Sequence, residues 1–391
     1  MKKYMAIVLA VICILVFINK KPHSIPAFAR KYQMTCKTCH SPFPKLTNYG
    51  ADFAANGFQL PDKEAPRYYI DTGDESLSLI RDVPIAFRLE GYITLNNQDS
   101  GQFDFSAPYF LKLLSGGEIT KNIGYFFYFF FTEAGEIVGL EDAFLIFNNL
   151  FGTDLDLYIG QFQISDPLFK RELRLPYEDY RIYSANVGAS NVKLTYDRGL
   201  MLTLGLKTGT DFAVEVLNGT GIGEANIFKN FDNDDYKNVL GRISQDIGEY
   251  LRIGGFCYLG KEENEGTVNT LWMAGGDLTL SIEPFELNFQ YVERNDDNPY
   301  FSWIEHPEIS TRGLFGELIF RPKGDDSEWY LIGLYNWMES DIEELKYSSA
   351  SMAFGYLLRR NLRLTAEYTY VFDEGLNGDY SRFVAGLITA F

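Results

Sequence analysis

An all-β, transmembrane outer-membrane β-barrel of about sixteen strands is the fold class this sequence predicts, on three observations. From about Pro84 to Phe391, short segments alternate apolar and polar residues with period two, the spacing of half-buried strands. Their connections alternate short and long, as at the two rims of an outer-membrane barrel. Aromatics are abundant, Phe 32 and Tyr 26 among 391 residues, yet no stretch beyond the N-terminus reaches the length of a helical membrane span. A closed barrel satisfies every backbone donor and acceptor in lipid. A soluble β-sandwich of this size, the rival reading, exposes its edges and has no need of so many aromatics.

At the N-terminus, Lys2 and Lys3 precede an apolar run of fourteen residues, Met5 to Ile18. That is too short for a spanning helix and reads as a cleaved signal peptide over residues 1–23, with Ala27-Phe28-Ala29 as an alternative cleavage point. Cys13 falls inside it, so export leaves Cys36, Cys39 and Cys257. Cys257 sits in a strand-like run and reads as a small apolar side chain. The formal net charge of −18 makes nucleic acid an unsuitable partner.

Residues 24–60 surround Cys36-Lys37-Thr38-Cys39-His40, a C-x-x-C-H run. This spacing is that of covalent c-type haem attachment: each thiol forms a thioether with one vinyl group, and His40 follows as an iron ligand. A thioredoxin-like site expects a βαβ context that Pro42-Phe43-Pro44 does not offer. Structural zinc needs four ligands, and the histidines are only His23, His40 and His306. Phe28, Tyr32, Phe43, Pro44, Leu46, Tyr49, Phe53 and Phe58 are candidate walls for a flat macrocycle. Leu46 to Asn56 reads as a short helix stopped by Gly57. Met34 and His23 are both open as the sixth iron ligand, and pentacoordinate or water-ligated iron is open as well. So small a segment rarely holds a core alone, and a barrel of this size has room for it as a lumen plug.

Residues 61–83 form a polar linker bracketed by prolines, and 84–391 the barrel. The predicted strands are roughly 84–95, 106–115, 122–132, 139–147, 154–162, 199–207, 211–218, 238–246, 250–259, 267–281, 284–294, 311–321, 328–338, 347–358, 361–371 and 381–391. Phe285, Leu287, Phe289 and Tyr291 share one face of their segment, opposite Glu286, Asn288 and Gln290. The connections 163–198, 219–237, 295–310 and 372–380 are expected as long polar outer loops, the first absorbing Asn191 to Tyr196. A closing strand ending on Phe391 completes the pattern.

Three stretches carry a resemblance: Ile25 to Tyr32 with the C-x-x-C-H run, Phe43 to Gly50, and Asn56-Gly57-Phe58. Together they resemble the N-terminal signature of fused monohaem cytochrome–porins, best known as the outer-membrane iron oxidases of iron-oxidising bacteria. The resemblance covers residues 25–60 and is only architectural over the barrel. It implies one covalent haem c on Cys36 and Cys39 with His40 on the iron. It also implies electron transfer between an extracellular donor or acceptor, Fe(II) among the candidates, and a periplasmic cytochrome. As an enzyme, such a chain is an Fe(II):cytochrome c oxidoreductase. Arg30-Lys31-Tyr32 departs from the iron oxidases' pattern, so the donor does not transfer with the signature.

Acidic runs mark the outer loops: Asp232, Asp234 and Asp235; Asp296 and Asp297; Glu339, Asp341, Glu343 and Glu344; Asp373 and Glu374. They read as solvated loops ahead of a field that concentrates cations, because none has metal-ligand spacing. Three functions follow: an outer-membrane electron carrier, a transport porin whose haem-bearing plug is structural or sensory, and a soluble haem protein.

Overall fold

The computed structural model describes residues 27–32, 34–41, 44–60, 70, 72–74, 76–98, 102–137, 139–168, 175–304 and 307–391. The expected signal peptide and most of the linker's first half lie outside them, as do His23, Phe43 and His306.

Among the described residues three short helices come first: α1 (Ala27–Tyr32), α2 (Cys36–Cys39) and α3 (Asn48–Ala55). Sixteen antiparallel strands follow. They are β1 (Ile85–Asn96), β2 (Gln102–Thr120), β3 (Ile123–Glu133), β4 (Gly139–Leu150), β5 (Leu155–Gln163), β6 (Tyr196–Gly205), β7 (Thr210–Leu217) and β8 (Asn238–Ile247). The second half holds β9 (Leu251–Asn264), β10 (Thr267–Ile282), β11 (Phe285–Asp296), β12 (Ile309–Phe320), β13 (Trp329–Ser340), β14 (Tyr347–Arg359), β15 (Leu362–Glu374) and β16 (Tyr380–Ala390). Each strand pairs with the next, and β16 returns to β1 with Arg88 opposite Ala390, closing the barrel. Phe391 lies just past β16, where its backbone exchanges hydrogen bonds of 2.7 and 2.9 Å with Phe87.

Alternation decides which way each strand faces. On β11, Glu286, Asn288 and Gln290 are buried inward while Phe285, Leu287 and Phe289 are exposed outward. Leu200, Val214, Ile243, Leu318 and Met352 extend the same outward apolar band. Around the short-turn rim, Phe285, Phe320, Trp329 and Phe354 touch in sequence with ring centroids 5.0, 5.8 and 6.1 Å apart, an interfacial girdle. No helix among the described residues is long and apolar enough to cross a membrane; strands do the crossing. An outward apolar belt on a closed barrel belongs in an outer membrane. Phe289→Arg, in the middle of that belt, is expected to lower unfolding stability in lipid vesicles by about 2–4 kcal/mol. Urea titration of the folded barrel reads it, and a cost below half a kilocalorie would place Phe289 off the lipid face.

Two departures from the sequence reading have clear causes. Strand β9 runs to Asn264, past the expected end at 259, because Lys261 to Asn264 pair with Thr267 to Thr270 in a projecting hairpin. Glu265 (φ +49) and Gly266 (φ +81) supply the left-handed turn that such a hairpin takes. Charge there marks a ribbon in water, not a loop.

The second departure is larger. The described residues of the connection after β5, 164–168 and 175–195, do not form an outer loop but fold into the lumen, where Ile164, Tyr180, Ile182, Tyr183, Val192 and Leu194 are buried. Tyr180 stacks on the inward Phe315 of β12 with centroids 3.8 Å apart and planes within 2°. The buried core therefore sits inside the barrel. Asn191 to Thr195 form no strand, as expected, and β6 begins at Tyr196.

Candidate functional site

The C-x-x-C-H run folds locally. Cys36–Cys39 make one helical turn, closed by the His40 amide donating to the Cys36 carbonyl at 2.8 Å. The chain then doubles back: the Ser41 amide donates to the Lys45 carbonyl at 2.7 Å, and His40 bridges Leu46. Thr47 ties the return to the turn, its amide donating to the Cys39 carbonyl and its hydroxyl to the Thr38 carbonyl. The same Thr47 oxygen caps α3 by accepting from the Gly50 amide at 3.1 Å. Gly50 is required by contact, since a Cβ there would stand 2.1 Å from the Cys39 carbonyl oxygen. The helix thus packs directly on the cysteine turn. Thr47→Ala should destabilise this segment by about 1 kcal/mol, measured as earlier thermal loss of its protease protection.

The His40 Nδ1 lies 2.8 Å from the Pro44 carbonyl oxygen. A carbonyl only accepts, so Nδ1 carries the proton and Nε2 carries the lone pair that an iron takes. Burial holds the His40 pKa below its ordinary value, with the Pro44 and Lys45 carbonyls opposing, so the ring is neutral as ligation needs. Burial pushes both Cys36 and Cys39 thiols up, and neither is in a disulfide.

An aromatic cluster flanks the turn. Phe28, Tyr32, Phe53 and Phe58 pack with Met34, Cys39 and Leu60, the Phe28 and Phe58 rings stacked at 4.7 Å. Tyr32 donates to the Phe58 carbonyl at 2.6 Å, pinning the far end of the segment. Of the walls expected from sequence, Pro44, Leu46 and Tyr49 stand outside this cluster; Tyr49 is 45% exposed. Tyr49 occupies the solvent side of α3, a position that aromatic character alone cannot locate. Met34 is in the cluster beside Cys39; His23 and Phe43 lie outside the described residues.

Two thiols on one turn, an adjacent imidazole with its lone pair on Nε2, and an aromatic flank form a donor set that fits covalent haem. The acidic runs behave as paired loops. Asp232 pairs with Lys237, Glu339 and Glu343 with Lys346, and Glu374 with Arg181. Asp296, expected among the loop acids, is fully buried against Arg294. Cys257 faces outward into the lipid belt, between the buried Phe256 and Tyr258.

The segment lies across the short-turn mouth of the barrel. On one side Phe58 stacks on the inward Phe126 of β3 at 5.3 Å; on the other Lys45 pairs with the inward Glu286 of β11 at 3.0 Å. Strands β3 and β11 are opposite each other in the ring of sixteen. Deeper in the lumen, the infolded connection is held by strand side chains. Glu367 accepts from the Tyr177 and Glu178 amides, and Asn336 donates to the Asp179 carbonyl. Inward residues from β8 to β13 (Leu240, Tyr258, Met273, Val292, Phe315 and Leu334) are buried. Phe126, Tyr128, Asp142 and Phe144 on β3 and β4 are half-buried. Glu286, Glu367, Asn336 and Arg294 were not singled out from sequence as anchors. Their alternation marks them as inward, and nothing local distinguishes an anchor from an ordinary lumen residue.

No family model and no curated protein matches this chain. Solved structures do. An anion-selective porin from Comamonas acidovorans is 12% identical, covering 79% of this chain and 99% of its own, with a TM-score of 0.57. An OmpF of Salmonella typhi, in complex with daunomycin, is 11% identical over 79% of this chain and 97% of its own, at 0.56. The trimer form of OmpT from Vibrio cholerae is 10% identical over 79% and 99%, at 0.54. The barrel has the porin fold.

Proposed function

We propose that this chain carries electrons across the outer membrane, with a single haem c held through Cys36, Cys39 and His40. The observation that supports this most is the C-x-x-C-H turn, with its ligand nitrogen oriented by Pro44, on the segment that lies across the barrel mouth. Bound there, haem c supplies a one-electron Fe(III)/Fe(II) couple whose potential follows the axial ligand and burial. Cys36 and Cys39 tether, and His40 presents Nε2. The barrel carries the segment's frame through a hydrocarbon layer about 25 Å tall, and its short-turn rim faces periplasmic carriers. An external donor or acceptor, Fe(II) among them, approaches from the opposite rim.

The second reading is a transport porin whose haem-bearing segment is structural or sensory. The comparisons bear on it more directly, because the structural neighbours are porins, one of them described as anion-selective. The packed interior from β8 to β13 weighs against a wide passage.

The deciding measurement follows the visible haem spectrum of detergent-purified protein, made in cells that mature c-haem, after adding Fe(II). Rapid reduction supports the electron carrier with iron as donor. Reduction by dithionite alone removes iron, and solute flux into liposomes with a haem that no external couple reaches would select the transport reading.

A further inference from the structure

We propose that Lys45, Glu286 and Arg321 form a buried latch that seats the N-terminal segment in the barrel mouth, opposed by a glycine socket at Gly116 and Gly124. This deepens the function proposed above, on which its consequence for electron transfer rests; the latch itself requires no haem.

The latch joins segment to barrel through three charges and a carbonyl. Glu286 Oε1 takes the Lys45 ammonium at 3.0 Å, while its Oε2 faces the Arg321 guanidinium at 3.7 Å. Arg321 also donates to the Ser41 carbonyl at 3.0 Å, one residue from His40. The Glu286 and Arg321 side chains are each 7% exposed and Lys45 is 18% exposed, so water screens these charges little. Lys37 adds an exposed pair with Asp326 on the neighbouring turn. Buried charges in such a cluster are costly to separate, because each departing partner leaves an uncompensated ion.

The opposite wall is shaped to receive the segment's far end. A Cβ at Gly124 would stand 2.8 Å from the Gly57 carbonyl oxygen, and one at Gly116 would stand 3.2 Å from the Phe58 ring. Gly57 itself is left-handed at φ +62 and sits against Asn148. Strand positions without side chains let the Gly57-Phe58 stretch approach this part of the wall closely. Nearby, the Asn122 amide donates to the Gln59 side chain at 3.3 Å. Two unlike contacts on opposite strands hold a crossbar at both ends, so the segment is a fixed part of the mouth and not a tethered domain.

The first test uses the unmodified protein. A water-soluble carbodiimide activates a carboxylate, and an amine in contact displaces the urea to form an amide. Peptide mapping by mass spectrometry is expected to find Lys45 joined to Glu286; its absence, with other contacting pairs joined in the same sample, overturns the latch. The second test is a charge-reversal cycle read by proteinase K cleavage within residues 27–60. Lys45→Glu and Glu286→Lys should each speed cleavage at least about tenfold, and the double variant should regain part of the protection, short of wild type because Arg321 repels a cation at position 286. Gly124→Val should expose the segment as well, without altering charge. Single reversals that fold, judged by heat-modifiable migration, and stay as protected as wild type overturn the proposal. The haem spectrum of the same samples reads the proposed function separately, since loss of haem with an intact crosslink sinks that reading and spares the latch.

Discussion

Chain carrying both Cys36→Ala and Cys39→Ala is expected to lose covalent haem completely. On a denaturing gel, haem-dependent peroxidase staining should vanish at the mature mass, while heat-modifiable migration of the barrel persists. The persistence follows from topology, because barrel closure runs through Arg88 opposite Ala390 and the Phe87–Phe391 backbone pair, none of which touches the cysteine turn. Either single replacement leaves one thiol and should retain part of the stain. His40→Ala removes the ligand nitrogen but neither anchor, so attached haem should remain with an altered spectrum and a shifted potential. Undiminished staining in the double variant would refute attachment at this run, whatever the barrel does.

Arg294→Ala is the second large effect. Arg294 is 3% exposed and aims its whole fork at four acceptors. Nε and Nη2 each donate to Asp296 at 2.7 Å, Nη1 to the Val192 carbonyl at 2.6 Å, and Nη2 also to the Ser190 hydroxyl at 2.9 Å. Truncation strands the fully buried Asp296 carboxylate, leaving it the Asn269 amide as a side-chain donor, a loss of about 3–5 kcal/mol. It also releases the infolded connection near Val192, so ion conductance through planar bilayers should rise together with the loss in stability. Arg294→Lys keeps the charge without the fork and should fall between. As a control, Arg252 pairs with Asp246 and Asp211 at an exposed turn; Arg252→Ala should cost no more than about 1 kcal/mol. Equal costs at the two sites would mean that Arg294 is not the lumen anchor its geometry describes.

Much of this was legible in the chain. Period-two alternation reports on a strand's own two faces, and the sixteen strands appear where expected, most within three residues of their bounds; β2, Gln102–Thr120 against an expected 106–115, and β9 run on at their ends. Local chemistry likewise announces the cysteine turn, since Cys36, Cys39, His40 and Pro44 meet within a single reversal. The helix after it was also visible, though α3 begins at Asn48 behind its Thr47 cap instead of at Leu46. The 164–195 connection was misplaced because polar loops and lumen fillers share a composition. What sends it inward is a match between Tyr180, Ile182 and Val192 and side chains on distant strands.

The sequence by itself therefore determined the number of strands, their facing, the closing aromatic and the candidate haem-attachment turn. Each depends on residues within a few positions of one another, where spacing translates directly into geometry. Only the tertiary structure decided what fills the barrel and what holds the N-terminal segment across its mouth. Lys45 and Glu286 are 241 residues apart, and Arg294 reaches Val192 across 102. Barrel closure brings such pairs together, and whether an inward charge meets a partner or water depends on every strand register between them.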